Sequence, residues 1–194
     1  SVERIYIHEN VYDEFLPLFK SEVAKLVVGP PLQKGTTQGA ISRPAHLDFL
    51  EEQVKDALEK GATLEMGGKR LDGAGSFFEP TVLTNVNHKM RVMKEESFGP
   101  IIGLQKVSND SEALMLMNDT EYGLTSSVYT NKKERADELM EYLDSGTCYL
   151  NCCDRVSGYT PWAGRNNSGL GATLSFHGIY AFVKTKGWHY RQQM

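Results

Sequence analysis

The stretch Asn151-Cys152-Cys153-Asp154-Arg155-Val156 sets two of the chain's three cysteines side by side, next to an acid and a base. A thiolate can attack a carbonyl carbon, and such nucleophiles need surroundings that lower the thiol pKa. Asp154 works against that ionisation and Arg155 favours it. Two readings therefore stay open: a nucleophile, or small apolar side chains at the end of a buried strand. No metal is expected. Adjacent residues on a strand point to opposite faces, Cys148 stands four before Cys152, and the five histidines are scattered, so no zinc spacing arises. The glycine-rich run is not a phosphate cradle either. Gly164 to Ser168 lacks the Gly-Lys-Ser/Thr ending of a phosphate loop, and Gly169-Leu170-Gly171 lacks a third glycine at dinucleotide-fold spacing.

The elements that must hold these residues read as alternating strands and helices. Ile5-Tyr6-Ile7 predicts a strand, and Asn10 predicts the cap of a helix carrying Val11, Phe15, Leu18, Phe19, Val23 and Leu26 near helical spacing. Pro17 should kink that helix or shift its start. A second helix presents Leu47, Leu50, Val54, Ala57 and Leu58, with Gly61 as its stop. Ala62–Met66 and Pro100–Leu104 predict strands, the second of them buried, and Pro80–Leu83 is a short apolar run. Asn109 with Glu112, and Asn131 with Glu134, have capping-box spacing for two further helices. Ser126–Tyr129 and Thr147–Leu150 predict strands. This order argues for an α/β fold with a mostly parallel sheet and flanking helices. The run GYTPWAGRNNSGLGA is long for a connector, as functional loops often are. Tyr180–Val183 and Trp188-His189-Tyr190 predict an extended aromatic tail that pairs with a sheet, its own or a neighbour's.

Composition bounds the class. The chain has 194 residues, 40% hydrophobic and 24% charged, with a formal net charge of -4. That suits a soluble globular protein and gives no basic field for nucleic acid. No apolar run approaches the roughly 20 residues of a membrane helix, so no membrane partner is expected. An odd number of cysteines without framework spacing predicts a reduced, cytoplasmic compartment. The opening SVERIYIHEN has no apolar core and predicts no secretory leader, and its lack of an initiator Met suggests processing or a piece of something longer.

Several segments together resemble one family. Glu96-Ser97-Phe98-Gly99-Pro100, preceded by Lys94-Glu95, is similar to the Glu-x-Phe-Gly-Pro signature of the NAD(P)-dependent aldehyde dehydrogenases. In the family's order follow Asn118 with Tyr122-Gly123-Leu124, Gly146-Thr147 leading to Asn151, Pro161-Trp162-Ala163-Gly164, Ser168-Gly169-Leu170-Gly171, and Val183-Lys184-Thr185. Upstream, Arg4-Ile5-Tyr6-Ile7 and Tyr12-Asp13-Glu14-Phe15 resemble the segment just after the family's catalytic cysteine. The resemblance covers nearly the whole chain.

It implies an oxidoreductase that converts an aldehyde to a carboxylic acid through a cysteine thioester, with NAD or NADP. It also implies that the nucleophilic cysteine, the glutamate base and the oxyanion-hole asparagine lie upstream of Ser1, so that no catalytic residue is expected here and this segment alone should be inactive. Glu96 is expected to bind the nicotinamide ribose hydroxyls and Phe98 to pack beside the nicotinamide ring. Cys152, Cys153, Asp154, Val156 and Trp162 are expected to line the aldehyde pocket, while Asn151 ties loop backbone together. Residues 1–178 would be the C-terminal part of the catalytic domain, and residues 179–194 the strand through which the enzyme forms a homodimer or tetramer. The chain departs from the family's pattern at four places: Ala172-Thr173 stand where Arg-Glu is common, Trp162 where Phe is common, His46 and Phe49 where cofactor contacts are often polar or basic, and Pro17 falls inside a helix. The second reading of the same residues is a non-catalytic truncated relative, an interaction or oligomerisation module that uses its aromatic tail.

Overall fold

The computed structural model of the protein describes residues 2–153 and 155–192. The chain divides into two compact units, residues 1–117 and 118–194.

In the first unit, β1 (Arg4–His8) runs parallel to β4 (Ile101–Val107), and β4 runs parallel to β3 (Thr81–Thr84). Strand β2 (Thr63–Met66) lies antiparallel to β3, so the sheet has the order β1-β4-β3-β2 and mixed direction. The expected mostly parallel sheet is thus only partly parallel. Parallel neighbours need a crossover, usually helical, whereas residues 67–80 between β2 and β3 contain no helix and turn back at Gly67 and Gly68, both at positive φ.

Helices flank both faces of this sheet. Alternation along the strands sends Leu83 and Ile101 to one face, against Leu47, Leu50, Val54 and Ala57 of α2 (His46–Glu59). Val82 and Leu104 point to the other, against Tyr12, Phe15 and Phe19 of α1 (Glu9–Val23). Each fully buried aliphatic side chain of this kind contributes roughly 1.5–3 kcal/mol. The expected faces hold only in part: Val11 and Leu18 of α1 and Leu58 of α2 are exposed, Leu26 is exposed beyond the end of α1, and Tyr12 and Leu16 pack into the core in their place.

Helix α1 runs on through Pro17 without a break in its assignment, and its first turn is capped by His8, whose Nδ1 accepts from the Asn10 N–H at 3.2 Å; Asn10 itself lies inside the helix. Helix α3 (Asp110–Asn118) has the expected cap, the Glu112 N–H donating to Asn109 Oδ1 at 2.9 Å, while the Glu112 carboxylate reaches back to the Ser108 N–H at 2.7 Å.

In the second unit, β6 (Thr125–Val128) pairs in parallel with β7 (Thr147–Leu150) across α4 (Lys133–Tyr142). The box expected from Asn131 and Glu134 does not form. The cap position is Lys132, with no side-chain hydrogen bond, because the helix starts one residue later than a box on Asn131 needs. Two short antiparallel pairs complete the unit: β5 (Tyr122–Gly123) with β9 (Arg165–Asn166), and β8 (Trp162–Ala163) with β10 (Ala172–Thr173). A five-residue helix, α5 (Ser175–Ile179), runs into a 3-10 turn at Tyr180–Phe182, where the sequence predicts extended backbone. Residues 183–192 carry no helix or strand within this chain.

Candidate functional site

The run from Lys94 to Pro100 leaves a short 3-10 turn (Arg91–Met93) and enters β4. Its backbone is anchored by side chains from distant parts of the first unit. The Glu3 carboxylate accepts two bonds, from the Ser97 N–H at 3.0 Å and the Phe98 N–H at 3.3 Å. His46 Nε2 donates to the Ser97 carbonyl oxygen at 2.7 Å, and its ring stacks on Phe49 at 5.1 Å. Arg4 Nη1 donates to the Met93 carbonyl oxygen at 3.0 Å, which fixes the segment at its other end. Gly99 lies against Leu50; an added Cβ would come within 2.5 Å of Leu50 Cδ2.

These anchors hold an uncommon backbone. Phe98 has φ of 44°, a left-handed conformation that side chains with a Cβ avoid, and it stays 68% exposed. Ser97 is fully buried, its hydroxyl without a partner among the described residues. Glu96 is half-buried, and its carboxylate makes no hydrogen bond or ion pair among the described residues. Its neighbour Glu95 is engaged instead, accepting from Arg91 Nε at 3.0 Å. That pairing raises the Arg91 pKa above its ordinary value. The loop thus presents one unpartnered carboxylate and one exposed aromatic ring. That pairing of an acceptor with an aromatic face fits a ligand with vicinal hydroxyls and a flat ring.

The other expected pocket residues belong to the second unit. Strand β7 ends at Asn151, which takes φ of 54° and clasps Thr130 with both ends of its amide: Oδ1 accepts from the Thr130 N–H at 2.9 Å, and Nδ2 donates to the Thr130 carbonyl oxygen at 2.8 Å. Asn151 therefore ties loop backbone together, as its type suggests. The chain leaves the strand there. Cys152 is half-buried and Cys153 is exposed, so Cys153 is not a buried strand-end hydrophobe. Val156 is exposed. Asp154 lies outside the described residues.

Trp162, half-buried, sits in β8 opposite Thr173. Its segment packs at the start of β7, where a Cβ on Gly146 would run into the Ala163 carbonyl oxygen. Trp162 thus borders the beginning of β7, while the two thiols follow its end. The third thiol, Cys148, bonds to Ser126 Oγ and Ser145 Oγ, each at 3.3 Å, inside the unit. Nothing in the sequence pointed to Glu3, and His46 stood out only as a departure from the family's pattern, not as an anchor of this loop. Their partners are backbone groups 94, 95 and 51 residues away, and no local pattern records such contacts.

Comparison with known proteins agrees across the chain. A sequence model of the aldehyde dehydrogenase family matches residues 1–187. An aldehyde dehydrogenase of Paenarthrobacter nicotinovorans is 39% identical over 186 residues, covering 96% of this chain and 41% of the relative. The crystal structure of lactaldehyde dehydrogenase from Escherichia coli superposes with a TM-score of 0.91 at 31% identity, over 95% of this chain and 39% of that one. Betaine aldehyde dehydrogenase from Staphylococcus aureus, in complex with NAD+, gives a TM-score of 0.87 at 32% identity, over 93% of this chain and 37% of that one. The chain spans about two fifths of the length of these relatives.

Proposed function

Because this chain belongs to the aldehyde dehydrogenase family, we propose that it forms part of a cytoplasmic oxidoreductase that converts an aldehyde to a carboxylic acid with NAD or NADP. The observation that carries this reading is the loop Glu96-Ser97-Phe98, which offers an unpartnered carboxylate and an exposed ring on an anchored backbone.

Glu96 has two acceptor oxygens and would hold the ribose hydroxyls of the nicotinamide nucleotide. Phe98 would lie against one face of the nicotinamide ring and keep water from it. The bound dinucleotide supplies the hydride acceptor. Cys152, Cys153, Asp154, Val156 and Trp162 would shape the aldehyde pocket, Trp162 with a large amphipathic wall. None of these groups needs to react.

The nucleophile in this reading is a cysteine upstream of Ser1, with the oxyanion-hole asparagine and the glutamate base upstream as well: its thiolate would add to the aldehyde carbonyl, loss of hydride to the dinucleotide would leave a thioester, and water activated by the base would release the acid and free the thiolate. Residues 1–178 then form part of a catalytic domain, and the chain after Phe182 would add a strand to a second copy in a dimer or tetramer.

Formation of reduced nicotinamide tests the proposal, with a panel of aldehydes and either coenzyme. Residues 1–194 alone are expected to give none, and a form extended upstream through the cysteine is expected to turn over. Turnover by residues 1–194 alone would place the nucleophile at Cys152 or Cys153 and end this reading. No turnover by either form would favour the non-catalytic interaction module.

A further inference from the structure

We infer that Glu3 is a positioning residue for the coenzyme loop, acting together with His46 through the backbone of Ser97 and Phe98. This inference rests on the reading of Glu96 and Phe98 as coenzyme contacts.

The geometry carries it. The Ser97–Phe98 peptide is gripped at both ends: His46 Nε2 donates to its carbonyl oxygen at 2.7 Å, and Glu3 Oε1 accepts from its N–H at 3.3 Å. The second carboxylate oxygen of Glu3 takes the N–H of the preceding peptide at 3.0 Å. One carboxylate thus spans two successive amides, an arrangement that fixes their relative direction. It does so where Phe98 sits at φ of 44°, a conformation that its own side chain disfavours and that outside contacts must maintain. The residue next to Glu3, Arg4, binds the Met93 carbonyl oxygen at 3.0 Å. Two consecutive residues therefore clamp both ends of the segment 93–98, one by accepting from N–H groups and one by donating to a carbonyl.

Among the described residues Glu96 itself has no protein partner to orient it. Its direction is set by the backbone on which it stands, and that backbone is set by Glu3 and His46. A positioning residue of this kind acts on affinity through geometry, where a shift of about 1 Å can cost on the order of a hundredfold.

The test uses the full polypeptide that carries this chain. Glu3→Gln keeps the size of the side chain but leaves one acceptor for two donors. His46→Leu removes the donor to Ser97, and His46→Gln retains an amide N–H at similar reach. Two quantities are read: the dissociation constant for the reduced coenzyme, by fluorescence titration, and the exchange rates of the Ser97 and Phe98 amides.

Glu3→Gln and His46→Leu are expected to raise the coenzyme dissociation constant and KM about tenfold, to leave the aldehyde KM and the melting temperature unchanged, and to speed exchange at both amides. His46→Gln is expected to restore the affinity. Wild-type affinity in Glu3→Gln overturns the inference, as does a fall in melting temperature that moves both KM values together. A wild-type protein that binds neither coenzyme overturns the proposed function instead. The exchange rates then still decide whether Glu3 holds the loop: unchanged rates in Glu3→Gln mean that it does not.

Discussion

The carboxylates of Glu95 and Glu96 are neighbours in sequence and opposites in circumstance. Glu95 is paired with Arg91, while Glu96 is half-buried and has no partner among the described residues. A charged hydrogen bond of the kind proposed for Glu96 contributes about 1.5–3 kcal/mol. Glu96→Gln should therefore raise the coenzyme KM roughly 10- to 100-fold while the aldehyde KM stays put, as steady-state kinetics would show; an unchanged coenzyme KM would remove Glu96 from the site. The adjacent thiols make a second contrast. Cys152→Ser with Cys153→Ser should keep kcat within a few-fold, because losing a true nucleophile costs on the order of a millionfold. The signature run was legible in the sequence because its residue types and order are local. The anchors were not, since Glu3 serves Ser97 and Phe98 only once β1 and β4 stand side by side.

Among the elements, β2 is held to its neighbours by polar contacts as well as by its ladder. Glu65 accepts from Lys20 Nζ of α1 at 2.6 Å and from Thr84 Oγ1 of β3 at 3.0 Å, and the Lys20 bond is the main cause of a lowered Glu65 pKa. A carboxylate whose pKa is depressed by folding contributes stability above its unfolded value, about 4.3 for glutamate, and loses it as pH falls through the folded value. Urea midpoints should therefore drop as pH goes below about 4.3, and Lys20→Met should flatten that part of the curve; identical curves would show that the pair is inert.

The face of α2 was readable, since Leu47, Leu50, Val54 and Ala57 recur at helical spacing and are buried, whereas on α1 the apolar Val11 and Leu18 stand exposed and Tyr12 is buried in their place. Strand direction was not. A short apolar run records that β3 is covered on both faces, with nothing to say that β2 beside it runs the other way. Capping was legible at α3, where Asn109 and Glu112 form the expected bonds, and not at α1 and α4, where His8 and Lys132 occupy the cap positions by the geometry of the turns that precede their helices.

On the scale of the whole molecule, the C-terminal residues expose more apolar surface than a tail needs. Phe182 is 90% exposed, Trp188 69% and Tyr190 78%. Aromatic groups left in water on a segment without strand pairing favour association with a second copy. The full chain should give the mass of a dimer or tetramer by light scattering, and ending it after Phe182 should lower that mass to a monomer's; equal masses would place the contact elsewhere. The pairing of β1 with β4 has its own outcome during synthesis. Arg4 is aligned with Gly103, so 103 − 4 = 99 residues separate the partners. At about 5–20 residues per second of translation, β1 leaves the ribosome roughly 5–20 seconds before the strand that completes it. Helix α1, built from contacts near in sequence, can form in that interval, while the sheet beneath it has to wait.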